Sequence, residues 1–415
     1  MKSRAIKAAL IAKIKSPFGR ILILTGARQT GKTTLARACF PEYTYLSIED
    51  PVLRSQYTLL TASQWEKTYP NAILDEVQKE PRLIESIKSV YDQYPAPRYV
   101  LLGSSQLLLL QKVKESLAGR CHIQEVYPLT IPELLTKSWD DQIKQSYFQR
   151  YIASGSLQIP YPSFLLDPDF AEKQKYFDYY LHYGGYPALV TNNISNDDRI
   201  EWLSNYVRTY LERDIRDLAD FKNLEPFIRV QKMTAHLTGQ LVNYAALAKE
   251  AGISAKTAQR FLQYLELSYQ TLLLIPWHKN PLKRMVKSPK LHYLDPGVHR
   301  AILQKRGELS GHEFESAIVA ELYKQAKNSA LPISFYHLRT TDGREVDILL
   351  ETENGYIAIE IKQSVNINST DAKHLRALSD ILDKPLLQSF ILSNDNKIIE
   401  ITENIMAIPA AMFLT

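Results

Sequence analysis

Between residues 21 and 38 the sequence passes from an apolar run, through a glycine-punctuated loop, into a helical pattern, and few folds accommodate that succession. Residues 21–24 read as a buried strand. Then follow Gly26, Ala27, Arg28, Gln29, Thr30, Gly31, Lys32 and Thr33, the spacing of a phosphate-binding loop at every required position. Lys32 opens a helix that continues through Thr34, Leu35, Ala36 and Ala38. The glycines let backbone N–H groups curl around phosphate oxygens, and the helix contributes the positive end of its dipole. Lys32 is placed to neutralise the β- and γ-phosphates of ATP, and the Thr33 hydroxyl to hold Mg²⁺. A strand, loop and helix in this order demand an α/β domain with a mainly parallel sheet.

A second apolar run, Ala72-Ile73-Leu74, delivers Asp75 and Glu76. Asp75 at the strand end is expected to engage Mg²⁺, and Glu76 to orient an attacking water, a pairing that points to hydrolysis. Ser104 and Ser105 follow the strand 99–102 and are candidate sensors of the γ-phosphate. Arg120 is either an arginine finger or sensor, or an ordinary surface arginine.

The rest of the 415 residues suggests further units. We expect an ATPase core over 1–165, a helical lid or linker over 166–225, a winged-helix-like unit over 226–300, and a separate α/β unit over 301–415. A Pro- and Ser-rich stretch around 154–168 marks the first boundary, and the tyrosines Tyr176, Tyr179, Tyr180 and Tyr183 follow it. With 45% hydrophobic and 23% charged residues the composition is that of a globular chain. No apolar run approaches the roughly 20 residues of a membrane span. Cys39 and Cys121 have no metal-type spacing. A reducing, cytoplasmic setting without membrane partners is the expectation.

Residues 222–306 hold 14 Lys and Arg against 4 Asp and Glu, a local charge of +10 that exceeds the +5 of the whole chain. Within this stretch residues 243–254 have the cadence of a helix-turn-helix. Gly252 permits the sharp turn and Ser254 caps the next helix. That helix, 255–267, sets Lys256, Gln259, Arg260 and Gln263 opposite Ala258, Phe261, Leu262 and Leu265. Strands over 271–277 and 290–294 would form a wing. Basic and amide side chains on a second helix suit double-stranded or branched DNA; a packing or partner-binding role is the other reading.

In the last unit, Asn354-Gly355 marks a hairpin between 346–350 and 356–362. A two-residue loop pairs Asp347 with Lys362, and a four-residue loop pairs it with Glu360; either gathers Asp347, Glu360 and Lys362 on one surface. Two carboxylates and a lysine can hold Mg²⁺ or Mn²⁺ and activate water against a phosphodiester. The triplet Glu360-Ile361-Lys362 with Asp347 resembles the PD-(D/E)xK nucleases, whose restriction-endonuclease-like α/β fold it implies. Glu315, on a helix expected over 313–327, sits where that superfamily often adds an acid. A further helix is expected over 372–382.

The ordered set GARQTGKTT, ILDEVQ, LLGSSQ, SLAGR and YPLTIPE resembles the AAA+ ATPases, specifically a prokaryotic family of ATP-binding proteins. The likeness extends through GGYPALV and the basic middle to REVDILLE and IAIEIKQS. It implies ATP binding and hydrolysis, while serine stands at the sensor position where many AAA+ proteins have asparagine. Two tasks stay open: ATP-dependent action on DNA, and a nucleotide-controlled protein-interaction switch with a catalytically silent nuclease-like fold. Self-association into a homo-oligomer is also open.

Overall fold

The computed structural model describes residues 1–103, 116–157, 167–191, 193–211, 223–284, 288–340, 343–376 and 378–415. Among these, three sheets organise the chain. The first contains β1 (Ile21–Thr25), β2 (Thr44–Ser47), β3 (Asn71–Asp75), β4 (Arg98–Leu102) and β5 (Cys121–Glu125), in the order β2-β3-β4-β1-β5. Every pairing in it is parallel. Its interior strand β1, between β4 and β5, is buried at all five positions, as a strand covered on both faces must be. Helix Lys32–Cys39 covers one face and helix Arg82–Gln93 the other, which splits the surrounding core into two apolar clusters. Cys39 lies in one of them, and burial pushes its thiol up to about 11, leaving it unreactive.

The chain then leaves the sheet. Leu129, Leu134, Phe148, Phe177 and Tyr180 bury their side chains with Phe314, Ile318 and Phe413 near the other end of the sequence. Described residues on either side of position 160, from Leu129 to Tyr151 and from Phe177 to Leu181, therefore pack on the C-terminal unit. Tyr180 is fully buried there, so it serves packing.

The middle sheet is small: β6 (Gln240–Leu241), β7 (Thr271–Leu274) and β8 (Lys290–Tyr293), ordered β6-β8-β7 and antiparallel. Helix Glu225–His236 precedes it, and helices Tyr244–Ala251 and Ala255–Leu267 lie between β6 and β7. Asn243 caps the first of these two by accepting from the Ala245 and Ala246 N–H groups. Gly252 ends it in the left-handed region at φ 69°, and Ser254 accepts from Thr257 N at 3.1 Å to start the next. The turn expected from the sequence is the turn that forms.

The third sheet has six strands, ordered β13-β14-β12-β11-β10-β9. They are β9 (Ser334–Arg339), β10 (Glu345–Glu351), β11 (Tyr356–Lys362), β12 (Leu386–Ser393), β13 (Ile399–Thr402) and β14 (Ile405–Pro409). β11, β12 and β14 run parallel to one another, and the remaining pairings are antiparallel. Helix Gly311–Asn328, capped reciprocally by Ser310 and Glu313, is buried along most of its length. One expectation needs correction: the described residues within 372–382 form no helix. Successive turns run through Asp371, Leu375 and Ile381 instead, each closed by a bond from an N–H to the carbonyl three residues back. Leu375, Leu378 and Leu382 are buried all the same.

Candidate functional site

The phosphate loop leaves β1 at Gly26, whose φ of 151° and tight approach to the Val126 carbonyl both exclude a side chain. An added Cβ would lie 2.2 Å from that oxygen. Gln29 at φ 62° and Gly31 at φ 86° complete the curl, and Lys32 begins the helix. The Lys32 ammonium donates to Gly26 O at 2.9 Å and Ala27 O at 2.7 Å, which holds it within the loop, and Thr30 Oγ1 donates to Ala27 O at 2.9 Å. Behind the loop Arg4, itself buried, donates to Thr30 O at 3.0 Å and Tyr127 O at 2.7 Å. In front, Tyr206 donates to Arg28 O at 3.2 Å. Ala27 and Arg28 thus belong to a loop held by Arg4 and Tyr206, and Thr34 lies in the first turn of the helix that follows.

One strand away in space, Asp75 stands at the end of β3. Its Oδ2 accepts from Thr33 Oγ1 at 2.7 Å and from Tyr45 at 2.9 Å, and its Oδ1 from Glu76 N at 3.0 Å. Burial, then the bond to Asp75, push the Tyr45 hydroxyl up to about 12, so it remains a donor at any working pH. Glu76 sits at φ 59°, a conformation that costs a non-glycine residue about 1–3 kcal/mol and collects at functional sites. Its carboxylate accepts from the Gln78 amide. A hydroxyl and a carboxylate in contact beside a helix N-terminus are suitable donors for Mg²⁺: Thr33 would bind it directly and Asp75 through water.

Two features of this region are not evident in the sequence. Tyr45 is one. The other is a cavity of about 240 Å³ beside the loop, lined by Arg4, Gly31, Thr34, Leu35, Pro187 and Val190 among others. Pro187 belongs to the Gly184-Gly185-Tyr186-Pro187 turn. Gly185 lets that turn press against Leu129, whose O would lie 2.1 Å from an added Cβ, and Pro187 reaches the loop at Gly31, where an added Cβ would lie 3.7 Å from Pro187 Cγ.

The sensor candidates Ser104 and Ser105 lie outside the described residues. Arg120 is placed away from this chain's phosphate loop. It precedes Cys121, which pairs with Ile21 at the start of β1, whereas the loop leaves the far end of that strand, roughly 15 Å on at 3.3 Å per residue. Arg120 pairs instead with Asp92 at 2.8 Å. This placement sets Arg120 at the opposite end of β1 from this chain's own phosphate loop.

In the C-terminal sheet the hairpin takes the four-residue loop, Glu351 pairing with Tyr356 and Ile348 with Ile359. This carries Asp347 opposite Glu360, and both are buried. Lys362 donates to Glu360 at 2.7 Å. Burial, and then the Asp347 charge, push Glu360 up to about 8. Glu315 joins from helix Gly311–Asn328, and Lys290 reaches in from β8 to pair with both Glu315 and Asp347. The expected acids are thus brought together, but around an ammonium. Among the described residues no three His, Cys, Asp or Glu side chains form a metal-binding group. The Mg²⁺ or Mn²⁺ site expected here does not fit the arrangement as it stands.

Lys256, Gln259, Arg260 and Gln263 are all exposed on helix Ala255–Leu267, while Ala258, Phe261, Leu262 and Leu265 are buried. No helix among the described residues is long and apolar enough to cross a membrane.

With this geometry in view, residues 19–135 match the AAA domain family. The chain therefore carries an AAA-type ATPase domain, whose ligand is ATP. Residues 174–309 and 310–413 match two domains of unknown function, DUF8612 and DUF4143. An uncharacterised protein of Mycobacterium tuberculosis, Rv2008c, is 28% identical over 411 residues, spanning 95% of this chain and 81% of that one. The Methanocaldococcus jannaschii protein MJ1544 is 22% identical over 360 residues, 82% of this chain and 74% of its own. Among solved structures, the Walker-type ATPase PABY2304 of Pyrococcus abyssi aligns at a TM-score of 0.47 and 13% identity, over 72% of this chain and 94% of that one.

Proposed function

We propose that this protein is a Mg²⁺-dependent ATP hydrolase that couples turnover to DNA. The observation that carries the ATPase reading is the 2.7 Å contact between Thr33 Oγ1 and Asp75 Oδ2, which unites loop and strand in one Mg²⁺ site. Thr33 and Asp75 would hold Mg²⁺, which would supply charge neutralisation at the terminal phosphates. Lys32 exchanges its two carbonyl partners for phosphate oxygens, and the loop N–H groups donate to the remaining ones. Glu76, oriented by Gln78, positions the attacking water and receives its proton. The 240 Å³ cavity beside Thr34 and Leu35 takes the adenine, with Pro187 and Val190 as an apolar wall. Pro187 and Tyr206 lie on the segment after the core, which supports reading it as a lid.

Helix, strand, two helices and a hairpin follow one another in the middle unit, and this order supports a winged helix. Its exposed basic face supports DNA as the partner. Lys256→Ala with Arg260→Ala is expected to weaken DNA binding and to lower the salt slope by up to ~2 units. A filter-binding titration with an unchanged slope removes this helix from the interface. The C-terminal sheet and its acidic hairpin support a nuclease-like unit.

A second reading has its own observation. Lys290 occupies the middle of the acidic centre, as it would in a catalytically silent fold whose ATP state controls protein contacts. ATP turnover measured with no DNA, and with double-stranded, single-stranded and branched DNA, separates the two. Stimulation supports the coupled enzyme; indifference to all three, together with no Mn²⁺-supported cutting, supports the switch.

A further inference from the structure

β8 belongs to the middle sheet by pairing, yet its two faces serve different units. Leu291 and Tyr293 enter the core of the middle unit. Lys290 and His292, the alternate positions, face the C-terminal unit. There the Lys290 ammonium lies 2.7 Å from Glu315 Oε1, 2.9 Å from Asp347 Oδ1 and 3.3 Å from Glu345 Oε1, with 3% of its side chain exposed. Burial opposes its charge, but Asp347 and Glu315 overcome that and hold it above the ordinary lysine range.

The surroundings are those of a cation site. Glu360 Oε2 is buried and has no hydrogen-bond partner, and neither has either ring nitrogen of fully buried His292. One His292 nitrogen is 3.9 Å from Glu315, and His312 lies 3.9 Å from the other oxygen of the same carboxylate. A divalent ion bound by Glu315 and Asp347 at about 2.0–2.6 Å would fall on the ammonium itself. The two cations compete for one position.

We propose that Lys290 is the resident cation of this acidic centre and stands where a divalent metal would otherwise bind. The proposal rests on the nuclease-like reading of the C-terminal unit and adds what fills its acidic centre. The middle unit holds Lys290 there, because the residue is paired on its strand with Leu274 of β7 and Leu241 of β6. The hairpin is in turn tied to the C-terminal sheet by Trp277 N donating to His337 O at 2.7 Å.

The test is Mn²⁺ binding to full-length, nucleotide-free protein, read from the electron paramagnetic resonance signal of the free ion. The phosphate-loop site is common to all variants and cancels in their comparison. Lys290→Met should bind one additional Mn²⁺ per chain at least about tenfold more tightly than the wild type does. Adding Asp347→Asn to it should abolish that gain. Should Lys290→Met not fold, Lys290→Met with Glu345→Gln relieves the excess negative charge and carries the same expectation. Wild-type protein that binds the extra Mn²⁺ as tightly as the variant overturns the resident-cation proposal and leaves the nuclease-like reading standing. Absence of the extra ion from every variant overturns both.

Discussion

Lys32→Ala is expected to abolish tight ATP binding while leaving the protein folded. The side chain is 8% exposed, inside a loop that offers the phosphates no other lysine. Removing one partner of a buried, hydrogen-bonded charge pair costs about 2–5 kcal/mol. At 1.4 kcal/mol per decade this is roughly 30-fold to several thousandfold in affinity. The fold should tolerate the change, because alanine is the best helix former and Lys32 is the first residue of its helix. Gly26 O and Ala27 O lose a donor that water can replace once the ammonium is gone. Titration with a fluorescent ATP analogue, beside a thermal melt without nucleotide, separates the two effects. Retained affinity with an unchanged melt would overturn the assignment of Lys32 to the phosphates.

The phosphate site was legible because its chemistry is local. Gly26, Gly31, Lys32 and Thr33 lie within eight residues, and backbone geometry alone requires the glycines. Asp75 was legible too, because an apolar run ending in two carboxylates is itself a local pattern. β5 was not foreseen: Cys-His-Ile-Gln-Glu alternates nothing and is half-exposed along its length, so no burial period marks it. Residues 372–382 misled for the opposite reason. Leu375, Leu378 and Leu382 have helical spacing and are buried, but apolar period reports burial and not which carbonyl each N–H finds.

The acidic hairpin shows the same limit at greater distance. Alternation fixed which face Asp347 and Glu360 share, and the Asn354-Gly355 turn narrowed the register to two choices, of which the longer loop formed. Lys290 lies 57 residues from Asp347 in sequence, so no local pattern joins them. The available signal was a lysine in the short apolar strand of the wing. A charge at a buried strand position must find a partner, and the only question sequence leaves open is which one.

Glu76→Gln should bind ATP as the parent does and turn it over about 100-fold more slowly or worse, since general-base assistance contributes about 10²–10⁴-fold. Three features of the structure carry this expectation. Glu76 follows Asp75 directly, so the residue proposed to engage Mg²⁺ and the residue proposed to orient water share one strand end. Its backbone is held in the left-handed region, where an exposed carboxylate with no task would relax at a gain of about 1–3 kcal/mol. Its carboxylate is fixed by the Gln78 amide rather than left to solvent. Glutamine preserves size and backbone demand, but its amide cannot take a proton from water at neutral pH. Binding should therefore survive, because Lys32, Thr33 and the loop N–H groups are untouched. Steady-state phosphate release and ATP affinity must be measured on the same preparation. Hydrolysis at the parental rate would make Glu76 an ordinary surface carboxylate; loss of binding and turnover together would make it a structural prop of the strand end. Only slow turnover on intact affinity identifies it as the residue that activates water.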